Sequence, residues 1–127
     1  MFSGKDLVTE YAYGNAPAIA ARTSSLSTGS GVDLNDTGPE FFAFLNNGTT
    51  SGTSPTLAVK LQESNVISSD YTDISGATFT TLTAAGSEMI RVANRTKRYV
   101  RAVSTHGGTD TPTFTWSVTI FAPNKSY

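Results

Sequence analysis

The sequence predicts an all-β protein: a single β-sandwich or jelly-roll-like domain with an extended N-terminal arm. From Pro55 onward, short segments alternate large apolar side chains with Thr, Ser, Lys or Arg, and Gly, Pro, Asn or Asp separates each segment from the next. Such alternation is typical of strands with one buried face. Only 15% of the 127 residues are charged and 38% are hydrophobic, and the Thr and Ser that fill the difference favour strands over disorder.

Residues 1–31 form the predicted arm. This stretch holds small residues with scattered Gly and Ser and keeps no period of 2 or 3.6, so neither a regular helix nor a long strand is expected. One short strand over residues 18–23 is expected to pair with the body. Chain termini are often mobile unless something holds them, and we interpret this one as an arm that is available to a partner.

The domain is predicted over residues 32–127, because strand patterns recur there at regular spacing. Residues 41–45 form a dense apolar run, and the apolar residues at 57, 59 and 61 share one face. The Gly-, Pro-, Asn- and Asp-bearing stretches 46–55 and 106–112 are predicted to be turns. Eight or nine such strands with no helix are typical of a sandwich or jelly roll.

The last predicted strand is the clearest core element. Four large residues alternate there with polar neighbours and make one apolar face: Phe114, Trp116, Val118 and Ile120. Burial of such a face contributes several kcal/mol, at about 25 cal/mol per Å². We therefore place Trp116 in the core.

Composition excludes several classes of function. The chain has no Cys, so a disulfide framework, a thiol nucleophile and a thiolate metal site are all ruled out. Its net charge of -1 gives no electrostatic footprint for nucleic acid or an anionic membrane. The first residues lack the pattern of a secretory signal, and no apolar run reaches the roughly 20 residues that span a bilayer. We expect a protein made in a cytoplasm, with neither a nucleic acid nor a membrane as partner.

The titratable residues give little support for an enzyme. His106 is the only histidine, and the sequence has no Gly-x-Ser-x-Gly elbow. A catalytic triad with a serine nucleophile is therefore not expected. The acidic group Asp33, Asp36 and Glu40 and the looser pair Asp70 and Asp73 allow two interpretations. They could bind calcium through carboxylate oxygens, or they could be ordinary turn formers. No cofactor is predicted.

A basic run and several terminal tyrosines are the candidate contacts for a partner protein. The run comprises Arg91, Arg95, Lys97, Arg98 and Arg101. It could contact an acidic surface or could be a solvated strand face. With Tyr99 as its only interleaved aromatic, it lacks the stacking platforms of a nucleic-acid site. The predicted partner-contact residues are Tyr11, Tyr13, Arg22, Arg95, Lys97, Arg98 and Tyr127.

Three segments together resemble a family of phage proteins. LAVKLQES at Leu57–Ser64, YTDISGATF at Tyr71–Phe79 and KRYVRAV at Lys97–Val103 are similar to a recurrent pattern in the capsid decoration, or cement, proteins of tailed bacteriophages. This resemblance implies a homotrimer on the virion surface, made in the host cytoplasm, that binds the outside of the expanded shell of major capsid protein. It also implies that the arm crosses to a capsid subunit or a sister copy. It names no catalytic or ligand-binding residue.

Two other interpretations stay open. The chain could be a glycan-binding β-sandwich module of a phage tail or fibre, which would recognise sugars through exposed Tyr, Asn and Asp. It could also be a minor head or tail completion protein with the same fold, which only copy number per virion would distinguish from a cement protein.

Overall fold

The computed structural model describes residues 11–35 and 37–123, which contain seven β-strands and no helix. The prediction of an all-β, sandwich or jelly-roll-like fold is confirmed. Among these residues no helix has the length and hydropathy needed to cross a membrane. The strands are β1 (Tyr11–Asn15), β2 (Ala20–Arg22), β3 (Val32–Asp33), β4 (Phe41–Ser64), β5 (Thr72–Thr78), β6 (Gly86–Val92) and β7 (Tyr99–Pro123).

Strands β4 and β7 are the longest strands and lie at the centre of the sheet. They are 24 and 25 residues long and pair antiparallel from Phe42 opposite Phe121 to Ser64 opposite Tyr99. Strands in globular proteins are rarely longer than about 10 residues. The ladder keeps its pairing over this unusual length, but its register shifts at several points between Asn47 and Thr56.

Both long strands bend at the same place. Gly52 has φ 102° and Gly108 has φ 114°, a region of backbone conformation that glycine tolerates best. A Cβ on Gly52 would lie 2.7 Å from the Cα of Pro112, and a Cβ on Gly108 would lie 2.8 Å from the carbonyl oxygen of Ser54. Each bend therefore packs directly against the backbone of the other strand.

The turns predicted at residues 46–55 and 106–112 are wrong. Both stretches lie inside continuous strands and do not reverse the chain. Gly, Pro, Asn and Asp signal that the backbone leaves regular β geometry, but they do not say whether the chain turns back or only bends. Because each long strand bends once, β4 and β7 each supply two of the predicted strands.

The bend divides the sheet into two layers. The first layer contains β6, residues 41–51 of β4, residues 113–123 of β7, and the strands β1 and β2. The second layer contains β5, residues 56–64 of β4, residues 99–107 of β7, and β3. Buried side chains of both layers belong to one hydrophobic cluster, so the curled sheet closes over a single core.

The core follows the alternation that the sequence predicts. Phe114, Trp116, Val118 and Ile120 are each 0% exposed, which confirms the last strand as a core element. The residues at 57, 59 and 61 of β4 are buried as well, and Phe41 and Leu45 point inward while Phe42 and Phe44 point outward. Side chains two residues apart share a face of a strand.

Part of the predicted arm lies on this body. β1 and β2 both pair with β7, and β2 falls within the strand predicted over residues 18–23. Between them, the amide of Ala16 donates to the carbonyl of Val118 at 3.0 Å, and its carbonyl accepts from the amide of Ala102 at 2.9 Å. Ala16 is 4% exposed and thus links the two layers. The first ten residues of the predicted arm lie outside the described part of the chain.

Replacement of Trp116 by Ala is expected to lower the free energy of unfolding by about 3–5 kcal/mol, because it removes a fully buried aromatic and leaves a cavity. Ser117→Ala changes the outward neighbour on the same strand and is expected to cost less than about 0.5 kcal/mol. Urea denaturation of both variants checks this. Equal midpoints for Trp116→Ala and the wild type would show that Trp116 is not a core residue.

The paired bend can be tested with two glycines of similar backbone conformation. Gly108 has φ 114° and Gly29 has φ 117°, so Ala strains the backbone at either position, by about 1–3 kcal/mol. A Cβ on Gly29 would meet nothing within 4 Å, whereas one on Gly108 would meet Ser54 and Pro55 under 3.0 Å. Thermal melting should show that Gly108→Ala is the more destabilising by at least about 1 kcal/mol. Equal losses would mean that the close approach of the two bends is unimportant.

Candidate functional site

The outer side of the first layer carries an apolar surface made of Tyr13, Phe42, Phe44, Met89 and Phe121, which we call the aromatic face. Its residues come from four neighbouring strands and lie in register. Phe121 of β7 is opposite Tyr13 of β1 on one side and Phe42 of β4 on the other, while Phe44 of β4 is opposite Met89 of β6. Directly paired residues lie on the same side of a sheet, so the five side chains form one continuous surface.

The aromatic face is both ordered and exposed. The rings of Phe42 and Phe121 stack with their centroids 5.4 Å apart and an interplanar angle of 17°. Tyr13 is 75% exposed, Met89 is 58% exposed and Phe44 is 37% exposed. Scattered apolar residues on a surface need no explanation, but a contiguous apolar patch marks an interaction site. Aromatic residues and Met are the types enriched at protein interfaces.

Polar groups surround this surface. Arg91 of β6 lies opposite Phe42, and its Nε donates to the Glu40 carboxylate at 2.6 Å, so an ion pair borders one end. At another border the hydroxyl of Thr119 donates to the side-chain oxygen of Asn15 at 2.8 Å. The five side chains of the aromatic face carry no charge. An apolar centre with a polar rim is the usual anatomy of a protein–protein interface.

A second surface is a polar cleft of about 350 Å³ at the start of β7, which we call the basic cleft. It brings together three of the predicted partner-contact residues, and its lining includes Asn35, Asn65, Arg95, Lys97 and Arg98. The structure therefore groups residues that are neighbours in sequence but would not have to share one cleft.

Arg95 anchors one wall of the basic cleft. Its guanidinium donates to the carbonyl oxygens of Gly38 at 2.6 Å, Lys97 at 2.7 Å and Leu34 at 3.1 Å. Burial lowers the pKa of Arg95 from its usual value, and the Glu63 carboxylate opposes that shift. Multiple charge-assisted bonds of this kind restrict the groups they join, so Arg95 fixes Leu34, Thr37 and Gly38 against the start of β7.

Arg98 and Lys97 brace the rest of the cleft. The Arg98 guanidinium donates to both carboxylate oxygens of Asp33, at 2.9 and 2.8 Å, and this bond holds the pKa of Asp33 below its usual range. Lys97 donates from Nζ to the Thr72 hydroxyl at 3.3 Å. The buried carboxylate of Glu63 accepts from the amide of Lys97 at 3.2 Å. The bonds of Arg98 and Lys97 join the cleft to β3 and β5.

The other predicted contacts are dispersed. The Arg22 guanidinium lies 5.1 Å from the ring centroid of Trp116 and donates to the Trp116 carbonyl at 2.8 Å, so it covers the edge of the core. Burial lowers the pKa of Arg22. Tyr13 is part of the aromatic face. Tyr127 and the side chain of Tyr11 lie outside what the structure describes.

Three of the five acidic residues considered as calcium ligands have cationic partners. Asp33 pairs with Arg98, Glu40 with Arg91, and Asp73 with Lys60. Within residues 11–35 and 37–123, no group of three or more His, Cys, Asp or Glu side chains is placed to hold a metal ion. Asp70 occupies a position with φ 61°, as turn-forming Asp often does. Asp36 is not among the described residues.

His106 lies in β7 opposite Leu57 rather than in the predicted turn. Its Nε2 is 3.0 Å from the Ser104 hydroxyl, and its ring packs edge-on against Phe114 with centroids 4.8 Å apart. Burial, and secondarily the nearby charge of Arg22, lower the pKa of His106. The ring thus extends the core at the bend.

Of the five residues of the aromatic face, only Tyr13 was among the predicted partner contacts. Phe42 and Phe44 were predicted only as part of the apolar run at residues 41–45, and Met89 and Phe121 were not predicted as contacts. A signal was present, because the run FFAFL is apolar on both sides of a strand and only one side faces the core. The missing information was the pairing that places Met89, Phe121 and Tyr13 beside them.

Comparison with known proteins gives only weak similarity to solved structures. Neither a scan of protein families nor a search of curated proteins found a match. Similar solved structures include a chain of the Bacillus endospore appendages, described as disulfide-linked pili (14% identity, 91% of this chain and 90% of that chain, TM-score 0.45). Another is the Eiger TNF of S. frugiperda (12% identity, 93% and 95%, TM-score 0.46). A family two carbohydrate esterase from Cellvibrio japonicus is a third (9% identity, 91% and 34%, TM-score 0.32). Similarity at this level carries no argument about function.

The lowered pKa of His106 predicts a loss of stability in mild acid. The folded protein binds a proton at His106 less readily than the unfolded chain, whose His pKa is about 6.5. The unfolded state therefore takes up more protons as the pH falls through that value, and the free energy of unfolding falls with it until the folded pKa is passed. Urea denaturation at neutral pH and in mild acid should show this loss in the wild type and a much smaller one in His106→Gln. Equal losses would assign the acid effect to other groups.

Proposed function

We propose that this protein is a structural subunit of a phage virion: a decoration, or cement, protein that binds the outer surface of the major capsid protein shell as a homotrimer and stabilises it. The observation that carries the proposal is the aromatic face, an exposed apolar surface on a body built almost wholly from one long paired ladder. An exposed surface of this kind is a site for another protein.

The resemblance to decoration proteins falls on one layer of the fold. Leu57–Ser64 is the second half of β4, Tyr71–Phe79 contains β5, and Lys97–Val103 opens β7. In the second layer, the β4 segment lies between the other two and pairs with both of them. The matching residues are therefore neighbours in space, which supports their being a shared structural unit rather than three coincidental strand patterns.

A decoration subunit needs more than one protein contact, because it must hold shell subunits together. Many copies of a modest interface add up to a large stabilisation when each copy links two partners. The aromatic face lies on the first layer, whereas the basic cleft is lined by Asn35, residues 37–39, Asn65 and residues 95–98. Two separate surfaces on a rigid body suit this role, and the ammonium of Lys97, which donates to the neutral hydroxyl of Thr72, can meet an acidic group of the shell.

A second candidate is the glycan-binding module of a phage tail or fibre. The observation in its favour is the polar lining of the basic cleft, which includes the side-chain amides of Asn35 and Asn65 beside Lys97. Such groups can hydrogen-bond sugar hydroxyls. Selective retention of this protein on a glycan array, lost in Asn65→Ala, would favour this function over the decoration role.

Sedimentation of the protein with expanded shells of the source phage tests the proposal. The purified protein is expected to co-sediment with the shells and to saturate at a high copy number. It should also raise the temperature at which the shells disrupt, because a protein that binds the intact shell and not the disrupted one stabilises the intact shell. The proposal would be contradicted if the protein stayed in the supernatant and the temperature at which the shells disrupt did not change.

A truncated chain separates the contribution of the arm from that of the body. Removal of residues 1–10 leaves every described strand in place, whereas a longer deletion would also remove β1 and β2. If the arm crosses to a neighbour, the truncated chain should keep its thermal stability but bind shells more weakly. Unchanged binding would assign docking to the body alone.

A further inference from the structure

We infer that the aromatic face is the surface through which one copy of this chain binds another copy. The inference deepens the proposed function, which calls for self-association but does not say where it occurs. The surface comprises Tyr13, Phe42, Phe44, Met89 and Phe121, paired in register across β1, β7, β4 and β6.

The dimensions of the aromatic face suit the centre of an interface. Three spacings of about 4.8 Å separate β1 from β6, and Phe42 and Phe44 lie two residues, or about 7 Å, apart along β4, so the Cα positions cover an area of about 14 Å by 7 Å. A specific interface buries about 800 Å² on each partner. The aromatic face can therefore supply the apolar centre, and the polar residues beside it, Asn15, Asn46, Ser87, Ser117 and Thr119, would supply the rim.

The charge pattern favours a copy of the same chain over a strongly charged partner. The centre of the face has no charged side chain, and on its border Arg91 and Glu40 bear opposite charges and pair with each other. An acidic partner would meet Glu40, and a basic partner would meet Arg91. A second copy brings the same uncharged centre and both signs of charge, so that Arg91 of one copy can exchange partners with Glu40 of the next.

The net charge and the apolar character of the surface point the same way. Each copy carries a formal charge of only -1, so electrostatic repulsion between copies is weak. Interfaces between identical subunits are also more apolar than those of transient complexes with foreign partners. Phe42 and Phe121 are already stacked, which means that a partner would meet a preorganised surface and would lose little side-chain entropy on binding.

Met89→Glu and Tyr13→Glu test the inference in the full-length chain. Both side chains are more than half exposed, so the changes should leave the fold intact, and each places a carboxylate in the apolar centre wherever this surface meets a neighbouring copy. Sedimentation equilibrium over about a hundredfold range of concentration should show an oligomer for the wild type and a dissociation constant raised about tenfold or more in either variant. Circular dichroism melting checks the fold of each.

Ile67→Glu is the matched control. Ile67 is 47% exposed and Met89 is 58% exposed, but Ile67 lies between β4 and β5, outside the aromatic face. This variant should associate as the wild type does. A wild type that stays monomeric at every concentration would overturn the inference, as would equal association of Met89→Glu and Ile67→Glu.

The same proteins distinguish failure of this inference from failure of the proposed function. Self-association through the aromatic face without any binding to expanded shells would support the inference and contradict the decoration role. Binding of shells by a wild type that is monomeric both in solution and on the shell would contradict the inference and support the binding of shells.

Discussion

The paired bend of β4 and β7 is the constraint on which the rest of the structure depends. Each strand passes from one layer to the other at the same point, and Gly52 and Gly108 allow the two backbones to approach more closely than a Cβ would permit. Without the bend, a ladder of this length would remain one open sheet with a single apolar side and nothing to cover it. With the bend, the paired strands β4 and β7 supply the central strands of both layers and enclose the core between them. The remaining strands extend the two layers at their edges.

The ladder of β4 and β7 positions the aromatic face, whereas the basic cleft lies just before β7 begins. In the first layer, the alternation of β4 sends Phe41 and Leu45 into the core and leaves Phe42 and Phe44 outside, where β1, β6 and β7 add their own outward residues. The fold alone does not require an aromatic outer side, since polar residues would keep the same core. At the start of β7 the cationic residues of the basic cleft are braced by neighbours, Arg95 by the carbonyls of Leu34 and Gly38 and Arg98 by Asp33. A rigid β body with two preorganised surfaces suits the proposed role, in which the protein binds other proteins.

Sequence reasoning reached the fold class and most of the core because both depend on local alternation. Trp116 and its three partners in β7 are buried as their period of 2 predicts. The bends escaped prediction because a glycine-rich stretch such as 46–55 is compatible with a reversal and with a bend, and the choice depends on the partner strand opposite it. The aromatic face was missed for a related reason: Tyr13, Phe121 and Met89 are far apart in sequence, and only strand pairing brings them together. For the basic cleft, closeness in sequence was enough to group Arg95, Lys97 and Arg98, but it could not show that Arg95 is occupied in holding a loop.

Electron cryomicroscopy of expanded shells saturated with this protein would show at once whether the protein binds a shell and which of its surfaces are covered. We expect added density for an all-β body on the outside of the shell, in groups of three, with Tyr13, Phe44 and Met89 buried between neighbouring copies. Shells with no added density would contradict the decoration role. Bound copies whose aromatic faces point to solvent would contradict the place assigned to that surface.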